Sequence, residues 1–300
     1  MKIVPKIQEE TALLKIITDS AADLPEKEAR SCNVRVLPIP ITVDGVSYRE
    51  SVDFTSEEYY GMLTAAKAIP TTAQITLMEF ADVFREEIAA GNRQLICITI
   101  TAQGSGIYNA ACLARKMVLE EQPEGEVTID VVDSASYTYV YGHAVVAAAK
   151  AAQEGKSREE VLEILHRELT TWQVYFGLTN LDFAKKSGRI TSTAAFVGEV
   201  LGFRPLLTIH NGETDTIQKV RGDRKLVTAM VEKFQNRASN DGRGFYIVHA
   251  RDRELAKELR KTLEKTTGRK CLGEYLIGAS VTTNAGPTVF GVIVPTEGII

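Results

Sequence analysis

Gly104-Ser105-Gly106 puts a hydroxyl between two glycines where an apolar run gives way to a helical pattern. Glycines let a backbone approach a ligand closely, and the first turn of a helix offers unpaired N–H groups at the positive end of its dipole. The tripeptide reads as an anion-binding turn. The sharper alternative is a serine nucleophile. However, the pattern is Gln103-Gly104-Ser105-Gly106 and not G-x-S-x-G, and none of His143, His166, His210 and His249 stands out as its base. Thr18-Asp19-Ser20, Thr71-Thr72 and Asp133-Ser134-Ala135-Ser136 are further hydroxyl clusters, each also what loops and helix caps ordinarily use. Lys185-Lys186-Ser187-Gly188 suits a basic helix C-terminus closed by glycine, and Arg189 just beyond it could grip a carboxylate bidentately. The chain has no G-x-G-x-x-G, Walker A, H-E-x-x-H or EF-hand pattern, and Asp19, Asp23 and Asp133 are too scattered to be read as a metal site.

The elements that must carry these residues follow from periodicity. Leu13 to Ile17, Gln94 to Ile100 and Val127 to Val132 read as strands, each discharging into one of the polar clusters. Helical patterns follow at Leu77 to Ile88, Tyr108 to Leu119 and Gly142 to Gln153. Strands alternating with helices imply a parallel sheet, so the first half is expected to be doubly wound α/β, with the clusters on the carboxyl edge where ligands bind. Val34 to Val43 reads as one strand, placed at an edge by Pro38 and Pro40, before an Asp44-Gly45 hairpin turn. The threonines at 71 and 72 are read as a loop ahead of a helix.

A capping box at Ser157 and Glu160 opens a helix ending near Leu169, and the domain boundary is placed there. Beyond it, Val174 to Leu178, Leu206 to Ile209, Thr216 to Val220, Phe245 to His249 and Val289 to Val294 read as strands. Asn211-Gly212 makes a hairpin turn, and Leu226 to Arg237 and Glu254 to Thr266 read as helices. The expectation is a leader at 1–12, an α/β domain at 13–170 and an α+β domain with a mixed sheet at 171–300.

The 300 residues are 44% hydrophobic, enough for two packed cores. With 35 Lys and Arg against 39 Asp and Glu, the chain lacks the basic footprint of a nucleic-acid binder. Cys32, Cys97, Cys112 and Cys271 lie far apart with no C-x-x-C pair, which argues against a disulfide framework or a zinc site. No apolar signal core or membrane-spanning run is evident, which points to the cytoplasm.

In this order, Thr18-Asp19-Ser20-Ala21-Ala22-Asp23-Leu24-Pro25, Pro70-Thr71-Thr72-Ala73-Gln74, Ser105-Gly106-Ile107-Tyr108, Gly188-Arg189-Ile190 and Gly286-Pro287 resemble the DegV family from about Ile16 to Val294. The resemblance implies a three-layer N-terminal domain, and a long-chain fatty acid bound between the domains without a cofactor. It further implies presentation of the carboxylate, in some members, to a partner fatty acid kinase subunit. Mapped by motif, Thr72, Ser105 and Gly106 would hold the carboxylate and Arg189 would lie at the head-group end. The sequence departs from the family at Asn284, where many members carry His before Gly-Pro, and at Ala73 and Ile75, where Ser and Pro are usual. Asn284 can donate a hydrogen bond but cannot carry a proton. A serine-dependent esterase or phosphotransferase acting on an acyl substrate is the alternative. Phe196, Val200 and Leu201 are read as core in preference to tunnel.

Overall fold

The structure is a computed structural model that describes residues 13–189, 202–251 and 253–298. The leader at 1–12, Ile190, Thr191, Ser192, Phe196, Val200 and Leu201 lie outside the described residues. The chain runs β1 (Leu13–Asp19), a 3-10 turn (Ser20–Ala22), α1 (Glu26–Ser31), β2 (Arg35–Leu37), β3 (Pro40–Val43), β4 (Val46–Arg49), α2 (Ser56–Ala65) and β5 (Thr71–Thr72). Next come α3 (Leu77–Ala89), β6 (Asn92–Thr99), α4 (Ile107–Glu120), β7 (Thr128–Asp133), α5 (Tyr139–Gln153) and α6 (Arg158–Thr170). The second half holds β8 (Trp172–Leu178), α7 (Asp182–Ser187), β9 (Phe203–His210), β10 (Glu213–Arg221), α8 (Asp223–Arg237) and β11 (Phe245–His249). It closes with α9 (Arg253–Thr267), β12 (Cys271–Leu276), α10 (Ala279–Ala285) and β13 (Val289–Pro295).

The expected classes hold in both halves. A parallel sheet in the order β2-β1-β6-β7 forms from the first half, and a mixed sheet in the order β10-β9-β8-β13-β11-β12 from the second. The chain steps from β1 outward to β2 and then returns past β1 to β6, so the order reverses between β1 and β6. In an open α/β sheet that reversal opens a crevice at the carboxyl ends of the two strands. Right-handed crossovers put α3 and α4 on one face, where Arg85 pairs with Glu121, and α1 with α5 on the other, where Gln153 donates to the Ser31 carbonyl.

The second sheet sorts its side chains by the two-residue period of a strand. In β8 and β13, Tyr175, Phe290, Val292 and Val294 face α8 and α9, packing with Met230, Phe234 and Leu259. Val174, Phe176, Val289 and Ile293 point the other way, toward Tyr139 and Val140 of the first half. Both faces are buried, so Val174 to Leu178 reads as an unbroken apolar run.

Two expectations need correction. Val34 to Val43 is not one strand: the chain leaves the parallel sheet after Leu37, and from Pro40 it joins a separate antiparallel sheet ordered β4-β3-β5. Pro38 and Pro40 mark that change of sheet, Pro40 standing first in its strand where no ladder donor is missed. Thr71-Thr72 is not a loop but a two-residue strand paired with Ile41 and Thr42. Among the described residues no helix is long and apolar enough to cross a membrane.

Inside α5, Gly142 lies against the Ala22 carbonyl, and a Cβ there would collide with that backbone oxygen. Alanine gains about 1 kcal/mol of helix propensity over glycine, but overpacking against an unyielding carbonyl costs about 1–3 kcal/mol. Gly142→Ala is therefore expected to lower the midpoint of urea unfolding; a raised midpoint would show that the 3-10 turn can withdraw.

Candidate functional site

The crevice is built by carboxylates that hold backbone. Asp19 ends β1 fully buried, and its carboxylate accepts from Tyr141 Oη (2.7 Å), the Ile100 N–H (2.7 Å) and the Ala21 N–H (3.0 Å). Ile100 is the residue after β6, so Asp19 fixes where the loop to Ser105 begins. Asp133 at the end of β7 accepts from the Ala102 N–H at 3.1 Å, and the Thr101 N–H reaches the Ser136 carbonyl at 3.1 Å. The loop then delivers Ser105 to the start of α4, where its Oγ accepts from the Ile107 N–H at 3.3 Å. Gly104 and Gly106 are close approaches: a Cβ at either would strike Tyr137 or Gln74.

The second half docks on this edge at two places. At one, the Asn211-Gly212 turn of the β9–β10 hairpin brings its Gly212 carbonyl to Tyr137 Oη (3.3 Å) and Thr101 Oγ1 (3.4 Å). Gly212 sits at φ 82°, and a Cβ would also hit Thr101, so glycine is required there twice over. At the other, the short helix α10 has no side-chain cap of its own. Its first N–H groups go to acids of the first half: Gly278 N–H to Asp23 Oδ1 at 2.9 Å and Ser280 N–H to Glu50 Oε1 at 2.8 Å. Glu50 Oε2 also accepts from Ser20 Oγ at 2.5 Å, and Tyr60 Oη donates to the Ile277 carbonyl at 2.7 Å.

Burial sets the electrostatics of these acids. It pushes Asp19 up to about 6, against the hydrogen bonds from Tyr141, Ile100 and Ala21 and with some help from the Glu50 charge. Asp23 is driven well above the usual carboxylate range by burial and then by Glu50, and its Oδ2 meets no donor. Glu50 is raised by burial against the Ser20 and Ser280 donors. Asp19 and Asp23 thus come together around Glu50, a residue the sequence did not single out, while Asp133 stands apart. Among the described residues no group of three His, Cys, Asp or Glu side chains is arranged for a metal ion.

Between the parallel sheet's carboxyl edge and the inner face of the mixed sheet lies a cavity of about 200 Å³. Thr72, Ser105, Gly106, Arg189 and Asn284, all expected from the sequence, line it together, along with Gln74, Tyr137 and Ser280. Its remaining wall is largely apolar, with Val140, Val174, Phe176, Ile209, Val248 and Val289 from α5, β8, β9, β11 and β13. Arg189 is the one charged residue among the described lining residues; it follows Gly188, the left-handed cap of α7, and donates from Nη1 to the Ser187 carbonyl at 2.9 Å. Asn284 Nδ2 donates to the Ser280 carbonyl, one helical turn back, at 2.8 Å. Burial pushes the Tyr137 phenol up to about 12 while Arg189 pulls it down, so the phenol is a neutral donor beside a cation. No histidine lines the cavity among the described residues. The chemistry on offer is a hydroxyl, amide and guanidinium head on an apolar channel, suited to an amphipathic anion.

The family profile described as "Uncharacterised protein, DegV family" matches residues 13–297. A DegV domain-containing protein of Caldanaerobacter subterraneus subsp. tengcongensis is 31% identical over 93% of this chain and 97% of its own. A Thermus thermophilus DegV family protein, described for its fatty acid binding, superposes with a TM-score of 0.84 at 28% identity, covering 94% of this chain and 99% of its own. A stearic acid-binding protein from Eubacterium ventriosum gives a TM-score of 0.85 at 27% identity, covering 95% and 98%.

A buried acid that keeps its proton in the native state makes stability fall as pH rises from the unfolded pKa to the folded one, because the native state then binds more protons than the unfolded. For Asp19 that window runs from 3.8 to about 6, and the raised acids Asp23 and Glu50 contribute with the same sign. Asp23→Asn keeps an acceptor for Gly278 and removes the ionisable group. It is expected to raise the melting temperature at pH 8 by about 2–4 °C, and by less at pH 5. A variant whose melting temperature tracks that of the unsubstituted protein at both pH values would count against a buried, proton-holding Asp23.

Proposed function

Because the chain belongs to the DegV family, we propose that it binds a long-chain fatty acid in this cavity, carboxylate toward Thr72, Ser105 and Arg189, tail along the mixed sheet. The observation that supports the reading is the composition of the wall: one cation and a serine at a helix start stand in a lining that is otherwise largely apolar. Gly106 and the first turn of α4, which has no side-chain cap from its N-cap residue, suit a carboxylate oxygen, and Asn284 adds a carboxamide to the same lining. With the domain boundary taken after Thr170, the ligand would lie between 13–170 and 171–300 and tie the two together.

Affinity resides in the tail. At ~0.8 kcal/mol per buried CH₂, about 14 methylenes contribute on the order of 11 kcal/mol before association costs, against about 1.5–3 kcal/mol for a charged head-group hydrogen bond. The reading is one of binding and delivery, in the cytoplasm, with no cofactor required. The carboxylate would be offered to a partner kinase subunit. Asn284 cannot supply a proton there, which favours a carrier role over direct support of phosphorylation. The esterase reading lacks a base: Ser105 Oγ accepts from its own helix, and no described histidine lines the cavity.

Native mass spectrometry of freshly purified protein, followed by extraction, is expected to release one long-chain acid per chain. Ser105→Ala should weaken binding about tenfold and leave lipid uptake intact. A protein that is empty and refuses added fatty acid sinks the reading, and complete loss of lipid in Ser105→Ala sinks the division between head and tail.

A further inference from the structure

A second cavity, of about 500 Å³, lies behind the first, and Val140, Val174 and Ile209 line both. The partition is therefore one side chain thick. All three residues are buried and apolar, so the shared part of the wall is greasy. Sites for drug-sized ligands run to roughly 300–1,000 Å³. The first chamber falls short of that range alone, and the two together fall within it. The second chamber's apolar lining comes from Val132, Leu162, Leu165, Leu169 and Trp172 of β7, α6 and β8, beside the buried Ser134 and Ser136.

The charges of the two chambers are opposite. Arg189 is the charged lining residue of the first, whereas Asp133 is the acid of the second, where its Oδ1 already accepts from the Ala102 and Ala135 N–H groups. A carboxylate is attracted to the first and repelled from the second. An apolar chain end is indifferent to that difference and gains by burial. His166 and Asn211, both exposed, form part of the outer rim.

Resting on the fatty-acid reading, we propose that the distal end of the acyl chain passes Val140, Val174 and Ile209 into this second chamber, and that these three side chains and α6 select chain length. Val and Ile are stiff at χ1, so the partition has a defined width and is not a soft plug. Each methylene that passes it should contribute about a fourfold gain in affinity.

The test uses the full chain and two measurements. An eighteen-carbon acid carrying a photoreactive diazirine at its terminal carbon should label the segment 162–172. Labelling confined to Val248, Ile277 and Val289 of the first chamber would overturn the proposal. Leu169→Trp, or Leu162→Trp should the first fail to fold, fills the second chamber from a half-buried position. It should lower affinity for an eighteen-carbon acid about tenfold or more, as expected for two or more excluded methylenes, and leave a ten-carbon acid within about twofold. Equal loss at both lengths, or none, overturns the proposal while fatty-acid binding stands. If the unsubstituted protein takes up neither acid, the binding reading itself fails and this one falls with it.

Discussion

Three carboxyl groups withdrawn from water hold this molecule in register. Asp19 receives the backbone at the end of β6, Glu50 joins the 3-10 turn to α10, and Asp23 takes the N–H at the start of that helix. Desolvation makes each costly to ionise, and the cost is offset only when its N–H and O–H donors are in place. The consequence is positional. The loop bearing Ser105 starts from Asp19, and the helix bearing Ser280 and Asn284 starts from Asp23 and Glu50, so the polar end of the cavity depends on acids that never touch it. In this arrangement they are positioning residues, and the aspartates of the Thr18–Pro25 motif gain a role without being ligands.

The cavity itself is a product of sheet geometry. A strand alternates its side chains, so β8 and β13 spend one set on their own helices and turn the other toward the first half. A parallel sheet presents loops at its carboxyl edge, and the point where its order reverses leaves a gap between them. Setting an apolar sheet face across such an edge produces a channel that is polar at the loops and greasy along the strands. Neither half contains that channel alone.

Much of this was legible beforehand because the signals are local. The unbroken apolar run of β6, the Asp44-Gly45 and Asn211-Gly212 turns and the Ser157 capping box all appear where their residues require. Thr72, Ser105, Gly106, Arg189 and Asn284 could be named because their motifs stand in order along the chain. What escaped was fixed by distant partners. The strand Cys271–Leu276 mixes Gly273 and Glu274 into its apolar residues, and α10 is seven residues, five of them weak helix formers between two alanines, held by acids more than two hundred positions away. Glu50 is an ordinary glutamate in a hairpin until Ser20 and Ser280 are brought to it. The division of Val34 to Val43 between two sheets has no periodicity to announce it.

The bond between Asp23 and Gly278 spans 255 residues of chain. A ribosome adding about 5–20 residues per second needs roughly 13–50 s to make that stretch. Once β7 and α5 are made, the parallel sheet can close over Asp19, while Asp23 and Glu50 stay without their partners in α10. Their share of the desolvation cost arrives late, when α10 emerges and settles on them. A nascent chain is thus left with an open, wet crevice while its second half is made, the period in which an apolar ligand would find the least obstructed way in.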